Sequence, residues 1–432
     1  MRKLLPIAFR YLRGHTRRYL FVIIVLGIGF SFITVISSLS DGMKESVTKK
    51  ALRHYSGHLF VVGRDKQAGS IMVMDDPETV TKAVESAAVP VERVIRRTHL
   101  HTGAEVFFQG NVVRIKDLFG VDFDAEADLL RGFEYVEGSF DHRWDEESII
   151  LSQPTAERLR VRVGDRILLR LENRREQVDT HYLIVQAIAA DATIYGYARA
   201  YMARETLTAL MDLDPAQYSV MGIFLPNLAE APHWAKRVHN ELAELLPVAG
   251  PIESKEDLTA NIRERWEGVR YFTLPLQVYI SEVTDLLAAM QIAAYGLLLM
   301  IMLVVVASVV VTYRVVLHDR MRELGTMLAV GFPRYWIVCM LLTEAIILIV
   351  AGIIGGVIIS LGISYMISFL SFHWIPGFEL FMEEGRLHAL YALQSIAANI
   401  LVVLGTVLPV IAVMVISLLR RRIPSLTKGE LT

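Results

Sequence analysis

YLFVIIVLGIGFSFITVISSLS, residues 19–40, carries no charged side chain. It is long enough to cross the ~30 Å hydrocarbon layer of a bilayer, which takes about 20 helical residues. Before it stand Arg2, Lys3, Arg10, Arg13, Arg17 and Arg18, with no acid among them. The next uncharged run of this length begins only at residue 286, and three follow: 286–313, 345–372 and 389–419. The helix of the third run is expected to start near Tyr335, which takes Glu344 into its first turns. Spans are therefore expected at 19–40, 286–313, 335–372 and 389–419, a one-plus-three layout.

Lys and Arg are retained on the cytoplasmic side of membrane helices. Arg314, Arg320, Arg322 and Arg334 fill the segment 314–334, and Arg420, Arg421 and Arg422 open the tail 420–432. The short segment 373–388 sets Glu379, Glu383 and Glu384 against Arg386. One topology satisfies all four helices: both termini and 314–334 cytoplasmic, 41–285 and 373–388 outside. A cleaved signal peptide fits poorly, because the apolar core at 19–40 is too long and no small-x-small cleavage site follows it.

Apolar residues make up 53% of the 432-residue chain and charged ones 21%, which excludes a disordered chain. The net charge of −2 gives no basic field to attract nucleic acid. Cys339 is the single cysteine, so no internal disulfide can form.

The outside segment, 41–285, reads as an α+β domain. SGHLFVV (56–62) and NVVRIKDLFGV (111–121) are β-rich, whereas PETVTKAVESAA (77–88) opens on proline and continues in helix formers. SIIL (148–151) is a short strand followed by a helix through Ala156 and Leu159. Gly164-Asp165 marks a turn, and 166–171 with 180–188 are expected to form a hairpin around the polar tip 172–179. Ala231, Ala235, Val238, Leu242 and Leu245 recur at helical spacing and should pack on a sheet. Segment 41–54 continues the first membrane helix, and 255–285 approaches the second through helix-forming sequence interrupted at Pro275.

No Gly-Lys dipeptide exists, so no phosphate loop of the G-x-x-x-x-G-K-[ST] type is present, and H-E-x-x-H, C-x-x-C and G-x-S-x-G are missing too. His54 with His58, and His99 with His101, have spacings that touch a metal on a helix or strand. Without a carboxylate or thiol set beside them, they read as surface or packing histidines. Neither catalysis nor a metal is expected, and transport or force transmission becomes the leading class.

In the cytoplasmic segment, Met321, Leu324, Leu328 and Val330 can line one side of a short helix, with Arg320 and Glu323 on the other. Gly331 and Pro333 then stop it. Such an element suits the groove of a cytosolic partner. Arg322-Glu323-x-Gly325-x-x-x-Ala329-x-Gly331, with Ile337, Glu344 and Gly352-Ile-Ile-Gly355-Gly356 after it, resembles the MacB/FtsX-like family of ABC-transporter permeases. In the domain, Val136-Glu137-Gly138, 148–151, Ala156 and Val163-Gly164-Asp165 are similar to the family's register. A separate permease of this length without a fused ATPase most resembles the lipoprotein-releasing LolC/LolE-type subunits, as does the amphipathic opening LPIAFRYLR (5–13).

That resemblance implies two separate ABC ATPase subunits that bind ATP and Mg, a second permease copy or paralogue, and no cofactor in this chain. It implies mechanotransmission, in which ATP-driven closing of the dimer moves the external domains. It further implies a bacterial inner membrane, a lipoprotein or other amphiphilic cargo, and a periplasmic chaperone. Arg320, Met321, Arg322, Glu323, Leu324, Gly325, Ala329 and Gly331 would fall on the element that contacts the ATPase. The external domain would comprise a porter-like part, 41–97 plus 216–285, and a second subdomain, 98–215. MacB-like efflux of drugs or peptides, or a receptor-like scaffold controlling a cell-wall enzyme, are the alternatives.

The first two membrane helices are expected to face substrate at a dimer interface, through Phe21, Ile24, Ile28 and Phe32 and through Met290, Leu297 and Met300. Gly27 and Gly29 would permit close approach there. Glu344 needs a polar or cationic partner, for which Arg334 and Arg314 are candidates. Gly352 and Gly356 read as a close helix contact.

Overall fold

The computed structural model describes residues 16–55, 57–66, 71–140, 144–190, 199–370, 372, 378–383 and 385–419. In chain order the elements are α1 (Thr16–Tyr55), β1 (Leu59–Asp65), β2 (Ile71–Met72), α2 (Pro77–Ser86), β3 (Arg93–Phe108), β4 (Asn111–Val121), α3 (Ala127–Arg131) and β5 (Tyr135–Gly138). Then come β6 (Ser148–Ser152), α4 (Gln153–Leu159), β7 (Arg166–Glu172), β8 (Val178–Ala189), β9 (Arg199–Ala203), α5 (Arg204–Leu210), β10 (Val220–Phe224), α6 (Ala231–Leu245) and α7 (Lys255–Arg263). Last are β11 (Val269–Pro275), α8 (Leu276–Asp319), α9 (Met321–Ala329), α10 (Arg334–Ile367) and α11 (Leu393–Leu419). The amphipathic opening 5–13 and the basic tail from Arg420 lie outside the described residues.

Two compact units emerge, Met1–Lys44 with Leu286–Ser371 and Gly385–Thr432, and Glu45–Asp285 with Phe372–Glu384. In the first, α1, α8, α10 and α11 are long and apolar enough to cross a membrane. Val22, Leu26 and Phe30 of α1 share one buried cluster with Val305 of α8, Leu341 and Ile349 of α10, and Val407 and Ile411 of α11. Lipid tails are as apolar as leucine, so close packing and polar contacts must hold such helices together. Asn399 supplies one contact, its Nδ2 donating to Ser37 Oγ at 3.3 Å between α11 and α1.

In the second unit, β1 pairs antiparallel with both β10 and β11, and the first five residues of β3 pair with β10. From Thr98 onward β3 changes partners and pairs with β4, and farther along with β7. The pairings β3-β4-β9-β6-β8-β7-β3 then close a ring, filled by Val106, Ile115, Leu118, Ile149, Leu169 and Val185. The β3-β4 hairpin turns on Gln109 and Gly110, both at positive φ (44° and 85°), which matches the right-handed twist of the strands.

α2 and α6 bury Val80, Ala83, Val238 and Leu242 with Leu59, Val61 and Ile223 of the small sheet. Leu245 departs from the expected stripe and is exposed, because Leu246 leaves the helix in extended conformation and packs there instead. Segment 255–275 is also not a helical approach to the membrane. α7, opened by a Ser254/Asp257 capping box, is followed by a strand, since VRYFTLP is β-branched and aromatic and pairs with β1. Helix resumes only after Pro275.

Candidate functional site

Arg320 sits at the corner between α8 and α9 and is buried. Its Nη1 donates to Glu344 Oε2 of α10 at 2.5 Å, and Glu344 is only 1% exposed. This corrects the candidate partners Arg334 and Arg314, both of which are exposed. Ten residues of helical rise put Glu344 about 15 Å from Arg334, too far for a side chain pair. Arg320 is therefore an internal residue and not a surface contact for a partner.

Met321 (2% exposed), Leu324 (1% exposed) and Gly325 are likewise buried, and Leu324 belongs to the membrane-helix core. The apolar side of α9 packs onto its own chain, so Met321 and Leu324 are not free to anchor a partner. Arg322, Glu323, Ala329, Val330, Gly331 and Phe332 are exposed. Gly331 has φ +96°, and its N–H donates to Leu328 O while Phe332 N–H donates to Met327 O. This is the left-handed cap that ends a helix and turns the chain sharply.

On α1, Tyr19, Val22, Leu26 and Phe30 point into the core, whereas Phe21, Ile24, Ile28 and Phe32 form an exposed apolar stripe on the other side. Met290 and Met300 of α8 are exposed as well, and the Leu297 side chain lies outside the described residues. Gly27 and Gly29 do not join that exposed face. A Cβ on Gly27 would meet Gly352 O at 3.3 Å and Gly356 N at 3.5 Å, and one on Gly29 would meet Val305 of α8 at 2.7 Å. Both glycines thus serve crossings within the chain.

In the large domain, His99 Nε2 lies 3.0 Å and His101 Nδ1 2.7 Å from Asp117 Oδ1. A carboxylate therefore does stand beside these histidines, which the spacing alone did not reveal. The signal was the hairpin turn at 109–110, but the register slips by one residue between His101 and Ala104, where Gly103 takes φ +97°. That slip sets His101 opposite Asp117. The three donor atoms lie within 4.8 Å of one another, a set of metal-ligand type. Arg199 Nε, 3.8 Å from Asp117 Oδ2, already places a cation at that carboxylate.

His99 and Asp117 line a cavity of about 500 Å³ bounded by Phe60, Leu258, Phe272, Tyr279 and Arg199. Arg97, also on its wall, is neutralised by a bidentate pair with buried Glu126. Burial lowers His99 below the usual histidine value, and its hydrogen bond to Asp117 offsets only part of that. Burial would raise Asp117, but the hydrogen bonds from His101 and His99 and the charge of Arg199 outweigh it and hold the carboxyl well below its usual range.

Both groups thus bind protons less readily folded than unfolded. The contribution of His99 is present above the unfolded histidine value of 6.5 and declines as pH falls below it, whereas that of Asp117 is lost only below the ordinary carboxylate value of 3.8. The melting temperature of the protein should accordingly drop between pH 7.5 and 5.5, and His99→Phe should flatten the slope. An unchanged slope in that variant would exclude His99 as its source.

Residues 20–225 match the MacB-like periplasmic core domain, and residues 295–424 match the FtsX-like permease C-terminal family. Among solved structures, the extracellular domain of the ABC-type transporter YknZ from Gram-positive bacteria is 12% identical, covering 43% of this chain and 93% of its own, with a TM-score of 0.29. The periplasmic region of MacB from Actinobacillus actinomycetemcomitans is 9% identical, covering 54% and 96% respectively, with a TM-score of 0.31. No match to a curated protein was found. Permeases of this kind work with ABC ATPase partners. With a MacB-like domain between its first and second membrane helices and an FtsX-like module over the last three, the chain belongs to the MacB/FtsX-like family of ABC-transporter permeases.

Proposed function

We propose that this permease works with two ATP-hydrolysing subunits and a second permease copy or paralogue in the bacterial inner membrane, termini inside, to release lipoproteins by mechanotransmission. ATP-driven closing of the pair moves the large domains, and the lipoprotein leaves the outer leaflet for a periplasmic chaperone. The observation that carries this reading is the two-faced α1. Its packed side is satisfied within the chain, its other side offers Phe21, Ile24, Ile28 and Phe32, and the same helix runs to Tyr55 without a break. An apolar stripe of that kind suits acyl chains between two permeases, and a continuous helix carries a displacement along its length.

Arg322 and Glu323 supply orienting charges toward the ATPase, and Val330 and Phe332 supply the apolar contact that buried Met321 and Leu324 cannot. In the reconstituted complex, Phe332→Ala with Glu323→Lys should lower substrate-stimulated ATP hydrolysis and release at least tenfold while the melting temperature stays unchanged. Leu324→Ala should instead destabilise the protein by about 2–5 kcal/mol, as for other fully buried leucines. Normal release by the first variant would reduce α9 to a connector.

Photocrosslinkers at Ile24 and Ile28 test the cargo. Capture of lipoprotein from these positions supports the reading. Capture only from α10 and α11, or a drug or peptide captured in place of lipoprotein, contradicts it, the latter favouring MacB-like efflux.

A further inference from the structure

We infer that His99, His101 and Asp117 form a binding site for a zinc ion on the wall of the large domain's cavity. Side chains alternate along a strand, and the β3-β4 register sets His101 opposite Asp117 and His99 opposite Phe119, so all four share one face. Two imidazole nitrogens therefore converge on one oxygen, His99 Nε2 at 3.0 Å and His101 Nδ1 at 2.7 Å from Asp117 Oδ1. Bonds of about 2.0–2.2 Å to a tetrahedral zinc ion set its ligand atoms about 3.3 Å apart. Oδ1 has only to draw back from the two nitrogens by about 0.3 to 0.6 Å to meet that spacing. The nitrogens themselves lie within 4.8 Å of each other and turn inward onto the ion. Two imidazoles and a carboxylate suit zinc, whereas magnesium and calcium take shells of oxygen.

The ligands are held in place before any ion arrives. The His99 ring stacks on Phe119 with centres 4.3 Å apart and planes 15° from parallel, which fixes the direction of its Nε2. Arg199 faces Oδ2 at 3.8 Å, the oxygen the histidines do not use, and orients Asp117 as an outer partner of a ligating carboxylate does. Its charge lowers the affinity for a cation but leaves Oδ1 open to one. The bulge after His101 is the device that aims this side chain at Asp117, and bulges recur beside functional sites for that reason. His101 is exposed, which gives the ion a way in, and all three ligands line the cavity, which leaves the fourth position to water.

The inference goes beyond the transport reading and is tested without ATPase, so its failure leaves that reading untouched. The full chain, in nanodiscs of zwitterionic phosphatidylcholine, is stripped of metal and titrated with Zn2+ against a chromophoric chelator at neutral pH. One ion per chain is expected to compete with the chelator. Outer partners alone are worth about 10–100-fold in metal affinity, so loss of a ligand in His101→Ala or Asp117→Asn should weaken binding at least tenfold. His101 is exposed, so its truncation leaves the fold intact, and His233→Ala, at an exposed histidine of α6, should change nothing. Zn2+ should also raise the melting temperature of the parent and not that of His101→Ala. Co2+ bound to the parent should show the intense visible absorption of a four-coordinate ion, a readout that needs no variant. No zinc bound by the folded parent, or the weak cobalt spectrum of six-coordination, would reduce the three residues to a hydrogen-bonded cluster. Undiminished affinity in His101→Ala, or equal loss in His233→Ala, would likewise overturn the assignment.

Discussion

Arg320→Ala should destabilise the membrane-helix unit by about 3–5 kcal/mol, the usual cost of leaving one partner of a buried ion pair behind. Glu344 would remain 1% exposed with its cation gone, among helices that offer it little water. Arg320→Met with Glu344→Met should recover most of the loss, because two apolar side chains of similar volume leave no charge to solvate. The two outcomes separate structure from coupling. Unfolding in nanodiscs measures the first, and substrate-stimulated ATP hydrolysis by the reconstituted complex measures the second. The pair joins the start of α9 to α10, so the double variant is expected to be stable yet poorly coupled. A single Arg320→Ala variant as stable as the parent would rule out the pair as a stabilising contact.

Gly356→Val is the other substitution of large effect. Any Cβ at this position falls 2.7 Å from Gly27 O and 2.9 Å from Phe30, closer than atoms pack. The obstructing oxygen belongs to the backbone of α1 and cannot rotate away, so α10 and α1 must separate. Overpacking costs about 1–3 kcal/mol in well-packed cores, and the upper end applies here. Gly355 and Gly362, on the same helix, have nothing within 4 Å of an added Cβ. Gly355→Ala and Gly362→Ala should therefore be neutral, and equal loss in all three would point to backbone flexibility instead of the crossing. Unfolding in nanodiscs reads all three.

The membrane helices were legible because a bilayer demands some twenty uncharged residues in a row, a requirement visible in one dimension. The hairpin β7-β8 and the helices α2 and α6 were legible for the same reason, since their periods are local. β3 was not. RVIRRTHLHTGAEVFF mixes arginine and histidine into a strand, and Arg97 is tolerable inside only because Glu126 neutralises it from elsewhere in the chain. The Arg320–Glu344 pair escaped for a similar reason, because linear proximity to the membrane run favoured Arg314 and Arg334. An amphipathic pattern on α9 marks one apolar side, but it does not tell whether that side meets a partner or its own protein. Met321 and Leu324 meet their own.

β3 has a consequence for how this domain could have been assembled or recombined. Its residues up to Arg97 complete the small sheet, and those from Thr98 complete the ring. No cut between the two halves leaves both with a full set of backbone partners, and each severed half would expose a fresh sheet edge. The pair is therefore not modular, and gene fusions or truncations that try to inherit one half alone should yield aggregating fragments. Exchange between relatives would have to move 45–285 as a single block, with melting of either half felt by the other.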